Sequence, residues 1–144
     1  MAANLFVAAI LNGVTFFIHA MGLVALTSLM SWLLAHPVSE GRQWAKIASM
    51  FLLASGLFVL LCIEMSVWAM GFVWLGAFAD FSTAFYFSTS SFATIGFGVV
   101  APEQEWRLLA SMEGITGFLI IGWSAAYLVT TGIRFGPFER DTHF

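Results

Sequence analysis

Thr94-Ile95-Gly96-Phe97-Gly98 is the stretch of sequence that decides the fold, because it places two glycines at alternate positions in an apolar chain. Glycine adopts positive φ angles at little cost, so we expect this stretch to be non-helical. Non-helical backbone at membrane depth is tolerated only inside protein or beside a water-filled cavity. Alternating glycines can turn successive carbonyl oxygens toward one side, which is the arrangement that a dehydrated monovalent cation requires.

The composition of the chain indicates a membrane environment. Of its 144 residues, 60% are hydrophobic and 9% are charged, and the mean hydropathy is +0.93. These values exclude a soluble globular domain, in which roughly a quarter of the residues are charged. The five basic residues are scattered, which excludes a nucleic-acid-binding patch, and the single Cys62 excludes an intrachain disulfide. The sequence contains no recognisable catalytic or cofactor-binding set, so we expect neither an enzyme nor a cofactor.

Three apolar segments have the roughly 20 residues that a membrane-spanning helix needs. They cover residues 5–35, 44–78 and 106–133. The second segment is longer than one span requires, and Gly71 or Gly76 is expected to end its helix. Residues 80–102 are too short and too interrupted for another span, so we expect them to enter and leave the membrane from one side. Within them, residues 81–92 are predicted to form a short helix.

The basic residues predict the orientation of the spans. Arg42 and Lys46 border the loop between the first two segments, and Arg134 and Arg140 lie in the C-terminal tail. Because basic residues favour the cytoplasmic side, we expect this loop and the tail to be cytoplasmic. The N-terminus and the re-entrant residues 80–102 would then lie outside.

Residues 84–98 resemble the pore helix and selectivity filter of tetrameric potassium channels, and residues 114–122 resemble their inner helix. The similarity extends over about residues 44–129 and is to small bacterial ion channels related to two-pore-domain channel pores. The first helix is additional to the two-helix pore module. The resemblance implies an all-α membrane protein with three transmembrane helices, a re-entrant pore helix and a filter loop. Its expected parts are an N-terminal helix and loop (1–43), a pore module (44–133, with outer helix 44–78, pore helix and filter 80–102, and inner helix 106–133) and a tail (134–144).

By resemblance, this chain assembles as a homotetramer in the bacterial inner membrane and conducts K⁺ passively. Its partners are then further copies of itself, membrane lipid and K⁺. The ion ligands are expected to be the filter carbonyls, and the loop is completed by Gly98. The carbonyls belong to Thr94, Ile95, Gly96 and Phe97. The usual filter Tyr is Phe97 here, and the usual Asp after the filter is Val99, so a weakly selective cation channel is the alternative.

Further roles are expected for residues outside the filter. Ser90 and Glu113 are expected to support the filter from behind, and Gly117 is the expected hinge of the inner helix. Three residues spaced four apart are candidates for lining the cavity and gate, with ordinary helix packing as the alternative interpretation. They are Ile121, Ala125 and Val129.

Two ionisable residues lie near the middle of the first two segments, His19 and Glu64. Because adjacent antiparallel helices would place them at similar depth, we expect a contact between them. A structural role and a pH-sensing role are both open. Two other functional classes also remain, namely a non-conducting membrane scaffold or accessory subunit, and a small membrane enzyme.

Overall fold

The computed structural model of the chain describes residues 2–35, 42–96 and 98–135. Regular secondary structure within these ranges is entirely helical, and a short 3₁₀ turn, Gln104–Trp106, precedes the last helix. Residues 36–41 of the loop expected between the first two segments, and residues 136–144 of the expected tail, lie outside the described residues. The α-helices in chain order are α1 (Ala2–Ala35), α2 (Arg42–Trp74), α3 (Phe81–Phe92) and α4 (Arg107–Phe135).

Three helices in the described part of the chain are long and apolar enough to cross a membrane. Their candidate spans are Ala2–Leu33, Trp44–Trp74 and Gln104–Arg134. In contrast, the 12 residues of α3 reach only about 18 Å at the usual rise of an α-helix. That length is well below the roughly 30 Å of a hydrocarbon core. The prediction of an all-α membrane protein with three spans and a short helix between the second and third is confirmed.

Gly76, rather than Gly71, ends α2. Its φ angle is 74°, a left-handed conformation that glycine adopts without a steric penalty. The Gly76 N–H donates to the Val73 carbonyl at 3.0 Å, and the Ala77 N–H donates to the Phe72 carbonyl at 2.9 Å. This pair of bonds forms a Schellman motif, which satisfies carbonyls that would otherwise lack partners at the helix end. The chain therefore leaves α2 sharply and turns back into α3.

The first two helices are antiparallel and pack closely through glycines. At three levels a leucine of one helix lies against a glycine of the other. Because lipid tails are as apolar as leucine, helices in a membrane associate through such close packing and through hydrogen bonds. The pairs are Gly22 with Leu60, Gly56 with Leu26, and Gly71 with Leu11.

An aromatic core holds α3 against the C-terminal half of α2. The fully buried Phe72 packs edge-on against Phe78 and Phe87, with ring centroids 5.9 and 5.4 Å apart. Trp68 extends this core toward α1, where its indole N–H donates to the Thr15 hydroxyl at 3.1 Å. Aromatic pairs of this kind contribute about 0.5–1.5 kcal/mol beyond the burial of their surface. The main core therefore lies at the end of the bundle that contains α3.

Gly117 lets α4 approach the C-terminal end of α3. A Cβ atom at this position would lie 2.6 Å from the Cα of Phe92 and 2.7 Å from its carbonyl carbon. One turn earlier, Gly114 faces the carbonyl of Ser91. The expected hinge residue therefore has a packing role in this structure, and a hinge motion at Gly117 stays a prediction.

We expect the Gly117→Ala substitution to destabilise the fold, because its Cβ meets the main chain of Phe92 rather than a movable side chain. Overpacking of this kind costs about 1–3 kcal/mol. The matched control is Gly122→Ala in the same helix, where nothing lies within 4 Å of the added Cβ. Thermal unfolding of the purified protein in detergent measures both variants. Equal midpoints for the two variants would contradict the assignment of Gly117 to close packing.

Candidate functional site

Asp80 begins α3 as its N-cap. Its carboxylate accepts a hydrogen bond from the Thr83 backbone N–H at 2.9 Å and another from the Thr83 hydroxyl at 2.8 Å. The backbone bond is the larger cause, and the hydroxyl bond the next, of a lowered pKa for the Asp80 carboxyl. A side-chain oxygen at this position satisfies an N–H that the first helical turn leaves free. The side chain of Asp80 therefore fixes the start of α3.

The C-terminal end of α3 holds the backbone that follows it. The Ser91 carbonyl accepts from the Thr94 N–H at 2.9 Å. The Ser90 carbonyl accepts from the Ile95 N–H at 2.9 Å and from the Gly96 N–H at 3.2 Å. Carbonyls at a helix C-terminus lack helical partners, so they are available for these bonds. The main chain of Ser90, which was expected to support the filter, thus contacts the loop directly.

Positive φ angles recur at every second residue of the loop. The values are 57° at Thr94, 62° at Gly96 and 70° at Gly98. Phe97, an expected ion ligand, lies outside the described residues. Thr94 is the informative member, because a left-handed conformation costs a non-glycine residue about 1–2 kcal/mol. Such strain persists only where surrounding bonds impose it, and it is common at functional sites.

In residues 94–96 the backbone N–H groups are hydrogen-bonded, whereas the carbonyl oxygens have no donor among the described residues. No described residue donates a hydrogen bond to the carbonyl oxygens of Thr94, Ile95 or Gly96. The side chain of Ile95 is 54% exposed and that of Val99 is 82% exposed on the single chain. The segment therefore offers main-chain oxygens and apolar side chains at the surface of one subunit.

Glu113 lies behind the loop, on the side of α4 that faces α3. Its side chain is fully buried beside the hydroxyls of Ser88 and Ser91. Neither carboxyl oxygen forms a well-aligned hydrogen bond with any described residue. The Ser91 hydroxyl donates instead to the Ala110 carbonyl at 3.2 Å. The structure thus places Glu113 against α3, next to Ser88 and Ser91, and its support of the filter stays a prediction.

The three expected cavity-lining residues share one exposed stripe of α4. Ile121 is 38% exposed and Val129 is 40% exposed, and Ala125 between them is also exposed. Their spacing of four residues places them on neighbouring turns of one helix face. That this face lines a cavity stays a prediction.

His19 of α1 and Glu64 of α2 meet inside the bundle. The His19 Nδ1 and Glu64 Oε1 atoms are 2.9 Å apart, and both side chains are fully buried. The His19 ring also lies against Trp123 of α4, with ring centroids 5.0 Å apart. The expected contact is therefore present, and a third helix joins it.

A series of hydrogen bonds from α1 to the 3₁₀ turn and α4 was not expected from the sequence. These bonds use polar residues of α1 that are eight and then fifteen positions apart, which is roughly two and four turns of an α-helix. That spacing was the available signal. The bonds link Asn4 with Glu105, Asn12 with Thr116, and Thr27 with Tyr127.

Comparison with known proteins identifies one family. A family model described as "Ion channel" matches residues 58–134, which is more than half of the chain. The match begins within α2 and ends near the C-terminus of α4, so α1 lies outside it. No curated protein and no solved structure matches the chain.

We expect Glu64→Ala to lower stability by about 3 kcal/mol, because removal of one partner leaves the other in a buried site without compensation. Glu64→Gln should lose less, since its amide can still bond to His19. Glu103→Ala, in an exposed position, is the control and should change stability by less than about 0.5 kcal/mol. Chemical unfolding in detergent measures all three. Equal losses for Glu64→Ala and Glu103→Ala would contradict a stabilising pair.

The Asp80 cap predicts a dependence of stability on acid. Because its pKa is lowered in the folded state, ionised Asp80 stabilises the fold above its unfolded pKa of about 3.9. This contribution disappears as the pH falls through the folded pKa. Asp80→Asn keeps a capping oxygen without the titration, so its unfolding temperature should fall less on acidification than that of the wild type. Glu103→Gln, at a position with no capping hydrogen bond, should follow the wild type.

Proposed function

We propose, because this chain belongs to the ion channel family, that it is the subunit of a potassium-selective channel. Transport is passive: K⁺ sheds its water, binds main-chain carbonyls and moves by repulsion between ions at adjacent sites. The ion ligands are the carbonyls of Thr94, Ile95, Gly96 and Phe97, and Gly98 completes the loop. No chemical step and no cofactor other than bound K⁺ is involved.

The positive φ angles of Thr94, Gly96 and Gly98 are the observation that supports conduction. Left-handed φ angles at alternate residues allow successive carbonyls to point toward the same side. The N–H groups of Thr94, Ile95 and Gly96 are already bonded to α3. Their carbonyls accept no bond from the described residues, so these oxygens are available to replace the hydration shell of a cation.

A homotetramer follows from the need for a ring of such loops. One chain supplies one loop, whereas potassium filters are built from four. The exposure of apolar Ile95 and Val99 on the single chain favours burial against neighbouring copies. In that assembly Ile121, Ala125 and Val129 line the inner cavity and gate, and Gly117 is the hinge.

The surroundings of the loop favour a cation. The C-terminal end of α3 carries a partial negative charge, equivalent to roughly half an elementary charge, directly before the loop. Ser90 and Glu113 support the loop from behind, Ser90 through its carbonyl and Glu113 through its place against α3. The distribution of basic residues favours an orientation in a bacterial inner membrane with α3 and the N-terminus outside and the tail in the cytoplasm.

A weakly selective cation channel is the second candidate. Val99 provides an exposed apolar side chain directly after the filter, where the resembling channels usually have a carboxylate. Without that carboxylate and without a tyrosine hydroxyl at Phe97, the filter has fewer side-chain bonds to hold its width. Discrimination between K⁺ and Na⁺ would then weaken while conduction persists.

Cation flux into proteoliposomes tests both candidates. We expect flux down a K⁺ gradient, blocked by barium, and little flux down a Na⁺ gradient. Gly96→Ala should lower K⁺ flux about tenfold or more, because the left-handed conformation costs alanine about 1–2 kcal/mol in every subunit. Gly13→Ala in α1 is the control, since its added Cβ meets nothing within 4 Å.

The outcomes separate the alternatives. Equal K⁺ and Na⁺ flux that Gly96→Ala abolishes would favour the weakly selective channel. Absence of flux from a purified monomer or dimer would overturn conduction and favour a scaffold or accessory subunit.

A further inference from the structure

The outer half of α1 forms hydrogen bonds with the 3₁₀ turn Gln104–Trp106 and with the first half of α4, which follow the filter. The Asn4 side-chain amide donates to the Glu105 carbonyl, and the Thr116 hydroxyl donates to the side-chain oxygen of Asn12. Asn4 and Thr116 are buried. The residue numbers of both partners rise from the first contact to the second. The helices α1 and α4 therefore run parallel and share a register.

These contacts constrain where α4 can lie. An amide buried in a membrane is costly unless it is hydrogen-bonded, so Asn4 and Asn12 favour arrangements that keep their partners in reach. Thr15 and His19, the next polar residues of α1, form their interhelical hydrogen bonds with α2 instead. The two asparagines therefore determine the depth and rotation of α1 relative to the start of α4.

Another face of the same part of α4 supports α3. Gly117, next to Thr116, lies against the main chain of Phe92. Ser91 bonds to the carbonyl of Ala110 at 3.2 Å. The carbonyl of Ser91 in turn holds the N–H of Thr94, where the filter begins. A continuous series of contacts thus runs from α1 through α4 and α3 to the filter.

We infer that Asn12, assisted by Asn4, is a positioning residue for ion selectivity. It acts through Thr116, which keeps α4 against the C-terminal end of α3. This contact fixes the position of the α3 backbone to which the filter is hydrogen-bonded. The N-terminal helix lies outside the matched family region. It nevertheless helps to hold the filter in position. This inference rests on the proposed function, since it needs a filter that discriminates between ions.

The inner half of α1 provides a matched control. There the Thr27 and Tyr127 hydroxyls are 2.9 Å apart, so another hydrogen bond joins α1 to α4. Thr27 lies 15 positions beyond Asn12, about 22 Å along the helix axis, and therefore far from the residues that contact α3. Loss of this bond weakens the same helix pair without reaching the filter.

The test is the ratio of K⁺ to Na⁺ flux in proteoliposomes containing the full chain. Asn12→Leu and Thr116→Val should each lower this ratio about threefold, the effect of losing one average hydrogen bond between membrane helices. The double variant should be no worse than either single variant, because both remove the same bond. Thr116→Ser keeps the hydroxyl and should keep the wild-type ratio, and Thr27→Val should also leave it unchanged.

Each outcome has one meaning. Absence of selective, Gly96-dependent flux in the wild type would remove the proposed function, before any α1 variant is considered. A selective wild type with an unchanged ratio in Thr116→Val would overturn the positioning role alone. Equal loss of selectivity in Thr27→Val and Asn12→Leu would also overturn it, since general loosening of α1 would then be the cause. Thr116→Val preserves side-chain shape, so it decides the question if Asn12→Leu does not assemble.

Discussion

Backbone hydrogen bonding in a medium without water is the constraint on which the rest of this structure depends. In a bilayer, the chain can leave the helical conformation only where protein or a watery cavity replaces the lost bonds. Here the end of α3 has carbonyls without helical partners, and the next residues have N–H groups without partners. The Ser90 and Ser91 carbonyls accept those N–H groups. One helix end thus satisfies the N–H donors of Thr94, Ile95 and Gly96. Their carbonyl oxygens are left as acceptors, which is the chemistry of a cation ligand.

The position of α3 therefore determines the position of the loop, and two different kinds of packing hold α3 in place. On one side, the aromatic ring of Phe87 packs against Phe72 of α2 and Phe78 of the turn that follows α2. On the other side, the main chain of Phe92 lies directly on Gly117. Aromatic packing is strong and tolerant of small shifts, whereas a backbone contact on glycine is rigid. The end of α3 nearest the loop has the rigid contact.

Polar side chains largely determine which faces of these helices pack together, because their surroundings are apolar. A leucine face of α1 gains little from α2 or α4 over lipid, so glycine contacts and hydrogen bonds decide which faces meet. The His19 and Glu64 pair sets α1 against α2 near the middle of the bundle. Asn12 and Thr27 set α1 against α4 on either side of that level. The N-terminal helix is thereby specified by a few polar residues rather than by a broad amphipathic pattern.

The sequence by itself determined the number of spans, the short helix 81–92 and the loop that follows it. Apolar length, glycine position and the capping carboxylate of Asp80 are local properties that can be read without a fold. It also determined that His19 and Glu64 share a depth, because depth follows from position along a span. Only the tertiary structure decided that Asn12 meets Thr116 and that Gly117 meets Phe92. Those contacts depend on the rotation of each helix about its axis. Helices that are apolar on every side carry too weak a periodic pattern to set that rotation before they pack.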